Sequence, residues 1–211
     1  MMKNEVKEFK RQRILIEAAP LFAEYGFQNV AIDTIAKRLS VTKPFIYTYF
    51  ENKTALLEAI YERAVNSLAS GVAEILAVER PPEEQLRQFV EFYVMENIKS
   101  ADLTAIFLNE EKNLPPAALK KIHAQHHSFD RSLANLIREG VKKGVFDVDD
   151  PMLASFSISG MVRWVHRWYN PNGRLKPEEI VSKMARLALN IVAYSPEKSS
   201  LTRKRTRADH R

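Results

Sequence analysis

The chain has 211 residues, 45% of them apolar, with 32 Lys and Arg against 26 Asp and Glu, a net charge of +6 and no cysteine. That apolar content is enough for one or two packed domains, and the lack of cysteine excludes disulfides and thiol chemistry. No apolar run approaches the roughly 18 residues of a membrane span, and the opening MMKNEVKEFKRQR lacks the apolar stretch of a secretory signal, so a soluble cytoplasmic protein is expected.

Glycine and proline are sparse and apolar residues recur at helical spacing, so the expected fold is all-α. The first helix covers residues 8–25, with Ile14, Ala18, Leu21, Phe22 and Tyr25 on one face and Gly26 as its stop. Helices follow at 32–39 and 43–50. Asn52 caps a long fourth helix that begins at Lys53 and ends by Pro81 and Pro82. A fifth helix starts near Glu83, with Leu86, Phe89, Val90 and Tyr93 inward. Helices over 103–112, 117–143, 152–169 and 177–194 complete the body, separated by Pro115-Pro116, by Gly144 with Pro151, and by the turn NPNGRLKP. Residues 196–211 carry +4 of the net charge with little apolar content. They read as a disordered basic tail, either solubilising or an added grip on phosphates.

The stretch IAKRLSVTKPFIYTYFENK is the most informative. A helix, a tight turn and a short second helix carrying two tyrosines form the layout of a helix-turn-helix DNA reader, whose second helix enters the major groove. Ile35, Ala36 and Leu39 supply the inner face of the leading helix, Val41 fills the turn, and Phe45 and Ile46 anchor the second helix. Thr42 can cap that helix and Pro44 sits where a missing N–H costs nothing. Thr42, Lys43, Pro44, Tyr47 and Thr48 are left as candidates to face DNA. A tyrosine hydroxyl or lysine ammonium suits phosphates, while Thr42, Lys43 and Thr48 can reach base edges. Lys53, at the start of the next helix, is placed for a phosphate. Phe50 reads as core, and Tyr49 suits core or surface equally.

Residues 14–57 resemble the N-terminal domain of the TetR family of transcriptional regulators. The matching residues are AAPLFAEYGF from Ala18, IA from Ile35 and VTKPFIYTYFENKTALL from Val41. The resemblance implies an N-terminal three-helix reader over residues 1–55. It also implies a C-terminal helical ligand-binding and dimerisation domain over 56–195, acting as a homodimer on a palindromic operator and releasing it when an effector binds. Two positions depart from the family pattern. Ala31 stands where a capping Ser or Thr is usual, and Ser40 stands where the turn usually has Gly.

In the C-terminal part, SGMVRWVHRWYNPNGRLKPEEI carries Trp164 and Trp168 at i,i+4 with Arg163, His166 and Arg167 beside them. One reading is a dimer interface of two helices per copy, built from the tryptophans, Met184, Leu187, Ala188 and Ile191. The other rests on resemblance. The pattern W-x-x-R-W-Y-x-P-x-G-R-L, with LTAIFLNEEKNLPP from Leu103, is similar to a TetR subgroup that controls fatty-acid, aromatic-acid or sterol-ring degradation and commonly responds to acyl-CoA thioesters. Such an effector needs an apolar slot, for which Phe89, Phe92, Tyr93, Phe107, Met152, Phe156, Met161 and Trp164 are candidates. It also needs cations for its phosphates, which Arg163, Arg167, Arg174 and Lys176 can supply. Aromatics at helical spacing serve a core equally well.

His123, His126 and His127 share a helix face near Glu110 and Glu111, a spacing able to hold a metal, but a solvated rim is the expected role and no metal or cofactor is assigned. No nucleophile or oxyanion hole accompanies the two carboxylates, so no catalytic residues and no enzyme are expected. Alternatives to the acyl-CoA-responsive repressor are a multidrug or antibiotic sensor controlling efflux, with Glu110 or Glu111 facing a cation, and a DNA-bound scaffold that docks another protein.

Overall fold

The computed structural model describes residues 2–194, without the side chains of Met2, Lys3, Ala105, Phe107 and Leu108. The expectation for the tail at 196–211 lies outside those residues. Every regular element described is helical: α1 (Met2–Tyr25), α2 (Ile32–Arg38), α3 (Lys43–Tyr47), α4 (Lys53–Ala77), α5 (Pro82–Lys99), α6 (Ala101–Asn109), a 3-10 turn (Glu111–Asn113), α7 (Pro116–Lys142), α8 (Pro151–Arg163), α9 (Val165–Trp168) and α10 (Pro177–Ile191). No helix among the described residues is long and apolar enough to cross a membrane.

The boundaries follow local chemistry. Gly26, at φ +79°, ends α1 in a left-handed cap, its N–H donating to the Phe22 carbonyl at 3.0 Å. Asn52 caps α4, its side-chain oxygen accepting the Ala55 N–H at 2.8 Å. Asp150 caps α8 by accepting from the Met152 and Leu153 N–H groups. Several boundaries differ from the sequence reading: the helix expected over 103–112 covers Ala101–Asn109, the one over 152–169 is divided at Trp164, and the one over 177–194 ends at Ile191. α1 starts six residues earlier than residue 8, and α3 stops at Tyr47, because the chain must turn before Phe50 to bury that ring.

The chain divides into two compact units, one of residues 2–67 and 100–124 and the other of 68–99 and 125–194. Residues 100–124 thus lie in the unit that holds the helix-turn-helix. In the first unit, Ile14, Leu15, Ala18, Phe22, Ile35, Ile46, Phe50, Leu56, Leu57 and Ile60 form the core, joined by Ile106 and Ile122. In the second, α5 lies along α10, and Leu86, Phe89, Val90, Ile137, Ile158, Val162, Met184 and Ala188 form a separate core.

Candidate DNA-reading surface and regulatory core

Ser40 sets the angle between α2 and α3. Its φ is +55°. Its N–H donates to the Lys37 carbonyl and the Val41 N–H to the Ala36 carbonyl, both at 3.0 Å, which is a Schellman closure with serine at the left-handed position. At the other end of α2, Ala31 occupies the cap position and supplies no side-chain bond. Ile46 and Phe50 are buried, while Phe45 and Tyr49 are half-buried with ring centroids 5.2 Å apart. The opposite side of the motif presents Thr42, Lys43, Pro44, Tyr47 and Thr48, all exposed, as one surface.

Thr42 departs from its expected capping role, and Thr48 and Lys43 each hold a partner within the motif. Thr42 holds the N-cap position of α3 but its hydroxyl makes no cap bond, and it is therefore unengaged by the cap and exposed. Thr48 donates its hydroxyl to the Phe45 carbonyl at 2.7 Å. Lys43 is paired with Asp33 on α2 at 2.7 Å, and this hydrogen bond, with the carboxylate charge, raises the lysine pKa.

The Lys53 ammonium is not free for a phosphate. It donates to the Phe27, Gln28 and Val30 carbonyls at 2.8, 3.3 and 3.1 Å and stands 4.4 Å from the Phe27 ring centroid. The loop after α1 turns three carbonyls inward, and one ammonium with three donors satisfies them. Only the backbone at the start of α4 remains of the expected phosphate contact.

The same loop is held from α6. The Glu110 carboxylate accepts the Phe27 N–H at 3.2 Å and an N–H of the Asn113 side chain at 2.6 Å, and Gln28 donates to Asn113 at 2.6 Å. Tyr61 of α4 donates to the Ile106 carbonyl at 2.8 Å from a fully buried position. Burial, reinforced by the Glu111 and Glu110 carboxylates, pushes its phenol upward. Glu111 pairs with His123. Among the described residues no group of three or more ligating side chains could hold a metal. Nothing in the sequence pattern singled out Glu110 as a tie; its contact lies 83 residues away in the chain.

In the second unit, the structure does not gather the predicted slot residues into one wall. Phe89 and Tyr93 are buried core, their rings 5.2 and 4.7 Å from the Phe129 ring. Phe92 turns to the other side of α5, onto Gly71 of α4, so closely that a Cβ there would lie 2.1 Å from its ring. Met152 and Met161 are half-buried, while Phe156, Trp164 and Arg167 are exposed. The Phe107 side chain lies outside the described residues.

Arg163 is committed to a buried polar network. Its Nε donates to the Tyr93 hydroxyl at 2.9 Å and it pairs with Asp130 at 3.2 Å; Ser159 also donates to Asp130, at 2.8 Å. Burial raises the Tyr93 phenol pKa. Burial opposes the Arg163 charge, but Tyr93 and Asp130 outweigh it and the guanidinium pKa is raised. Arg163 therefore neutralises Asp130, which is 6% exposed, and is not a free cation for an effector phosphate.

The predicted interface residues also separate. Met184 and Ala188 are 6% and 0% exposed, inside the core against α5, and are not interface residues by direct contact. Leu187 and Ile191, one step around the same helix, are exposed. Trp164 and Trp168 are exposed too, but a break at Trp164 divides α8 from α9, so they do not share one continuous helix.

An all-α chain whose first unit presents a helix-turn-helix with an exposed second helix, and whose second unit has its own helical core, is a DNA-binding regulator by architecture. The family models agree: residues 14–60 match the bacterial regulatory proteins of the tetR family, and residues 79–192 match the tetracyclin repressor-like C-terminal domain. The chain belongs to the TetR family, and is a DNA-binding transcription regulator, not an enzyme.

Among solved structures it is similar to PfmR of Thermus thermophilus, with 30% identity and a TM-score of 0.78 over 84% of this chain and 97% of that one. It is also similar to AibR in complex with isovaleryl coenzyme A and operator DNA, with 26% identity and a TM-score of 0.76 over 84% and 96%. Among characterised sequences it is 24% identical over 189 residues to the transcriptional repressor KstR2 of Rhodococcus jostii, covering 89% of this chain and 93% of that protein.

Proposed function

We propose that the protein is a homodimeric, effector-responsive repressor that binds a palindromic operator and leaves it when an acyl-CoA-type ligand binds. The carrying observation is the double tie on the loop after α1. Glu110 holds it from the end of α6 and Lys53 holds it from the start of α4. Any effector that displaces α6 pulls on the segment that leads directly into α2, and so re-aims Tyr47 and its neighbours. The effector must bind the released conformation more tightly than the DNA-binding one, or it shifts nothing.

Two observations support the effector class. AibR, with similar sequence and fold, was solved with isovaleryl coenzyme A. In this chain Arg167, Arg174 and Lys176 remain exposed around the α9–α10 turn, available to phosphate oxygens. A lipophilic-cation sensor is less well supported, because Glu110 is engaged by Phe27 and Asn113 and Glu111 by His123. For the homodimer, the support is the exposed apolar set Leu153, Phe156, Trp168, Leu187 and Ile191 on α8, α9 and α10, with Trp164 at the break between α8 and α9. Such a set is the usual anchor chemistry of an interface.

Isothermal titration with isovaleryl, longer aliphatic and aromatic acyl-CoAs tests the reading, with operator release followed by gel shift. Saturable binding that lowers operator affinity is expected. Absence of heat at two temperatures removes the thioester effector and leaves the DNA-binding assignment untouched.

A further inference from the structure

α1 begins at Met2, and every described side chain from Asn4 to Lys10 is exposed. Two helical turns therefore extend past the core without packing. Isolated turns gain little from helix formation alone, so the extension calls for another explanation.

Charge on this extension is sorted by face. At about 100° per residue, the core-facing stripe of Ile14, Leu15 and Ala18 continues toward the N-terminus through Arg11, Lys10 and Lys7. Glu5, Glu8 and Gln12 fall on a second sector, and Val6, Phe9 and Ile16 on a third. The basic stripe lies beside the reading motif. The Lys10 ammonium is 5.9 Å from the Phe45 ring centroid and the Arg11 guanidinium 5.3 Å from that of Phe50. Phe45 belongs to α3 itself. Lys7 sits about 4.5 Å further out along the axis. Arg11 is also paired with Glu8 at 3.6 Å, which leaves Lys7 and Lys10 as the exposed cations of the stripe.

We propose that the N-terminal extension of α1 is a phosphate clamp. Lys7 and Lys10 neutralise backbone phosphates of duplex DNA flanking the base pairs reached from α3, and Arg11 orients the helix against Phe50. The inference rests on DNA binding by this chain. Because phosphate contacts carry no base information, the clamp strengthens operator and random sequence alike and leaves their ratio unchanged.

The test is the salt dependence of binding to a random-sequence duplex and to the operator, by fluorescence anisotropy, for the intact protein, Lys7→Gln and Lys7→Gln/Lys10→Gln. Each lost contact makes the slope of log K against log salt shallower by about 0.9, so with two protomers on the duplex the single variant is expected to lose about 1.8 and the double variant about 3.6. The single Lys7 variant guards against any packing role of Lys10, and thermal midpoints measured alongside should not move. Slopes equal to the parent protein at unchanged thermal midpoints overturn the clamp. Absence of duplex binding by the parent protein itself instead overturns the DNA-binding assignment beneath it.

Discussion

Single residues decide whether the reading head is held or loose. Lys53 satisfies three carbonyls of the loop after α1, and hydrogen bonds to a charged donor contribute about 1.5–3 kcal/mol when little exposed. Lys53→Ala is therefore expected to lower folding stability by about 1–2 kcal/mol, read as a shift of the urea midpoint, while the salt slope of DNA binding stays that of the parent protein. A shallower slope at unchanged stability would return Lys53 to the phosphate contacts. Glu110→Ala leaves the Phe27 N–H without its acceptor, at a cost of about 1–3 kcal/mol. Operator affinity should fall with it, whereas Glu110→Gln, which keeps an amide oxygen, should lose less. Both roles were illegible in the sequence. A lysine after a helix cap looks like a phosphate ligand until the direction of the preceding carbonyls is known, and Glu110 meets Phe27 only through the fold.

At the scale of elements, the α2–α3 turn carries a visible strain. A left-handed conformation costs a residue with a side chain roughly 1–2 kcal/mol, and Ser40 adopts one at φ +55°. Glycine removes that strain but adds unfolded-chain entropy worth about 0.4–1 kcal/mol. Ser40→Gly should thus be stabilising by about 0.5 kcal/mol, a rise in thermal midpoint of about 1–2 °C. A fall in midpoint would mean that the Ser40 side chain contributes more to the folded state than the left-handed backbone costs. This position was readable through the resemblance, because Ser40 stands where the family's turn usually has Gly. The early end of α3 was not. Residues 43–50 have uninterrupted helical spacing, and only burial of Phe50 in the same core as Ile14 and Leu56 bends the chain after Tyr47.

Across the whole molecule, α10 buries one face against α5 and leaves the face proposed for the dimer exposed. Met184→Ala cuts into the core against α5 and should cost about 2–5 kcal/mol, seen in thermal or urea denaturation. Leu187→Asp changes only an exposed side chain. It should leave helicity and the unfolding midpoint of the monomer intact while shifting the sedimentation profile from dimer to monomer. A dimer that persists in Leu187→Asp would move the interface away from this face.

What the sequence determined by itself is the all-α class, the helix-turn-helix that exposes Thr42, Lys43, Pro44, Tyr47 and Thr48, and many helix boundaries. Each of these rests on local chemistry: helical periodicity, capping residues, and glycine or proline at turns; the family was legible through the resemblance of residues 14–57. Only the tertiary structure decided that residues 100–124 join the unit of the reading head, and that Arg163 answers Asp130. The same holds for the splitting of Met184 and Ala188 from Leu187 and Ile191. Those outcomes depend on which face of one helix meets which face of another, far away in the chain, and an apolar or charged residue at helical spacing has the same appearance in sequence whether its partner is a core, an ion pair or a second protomer.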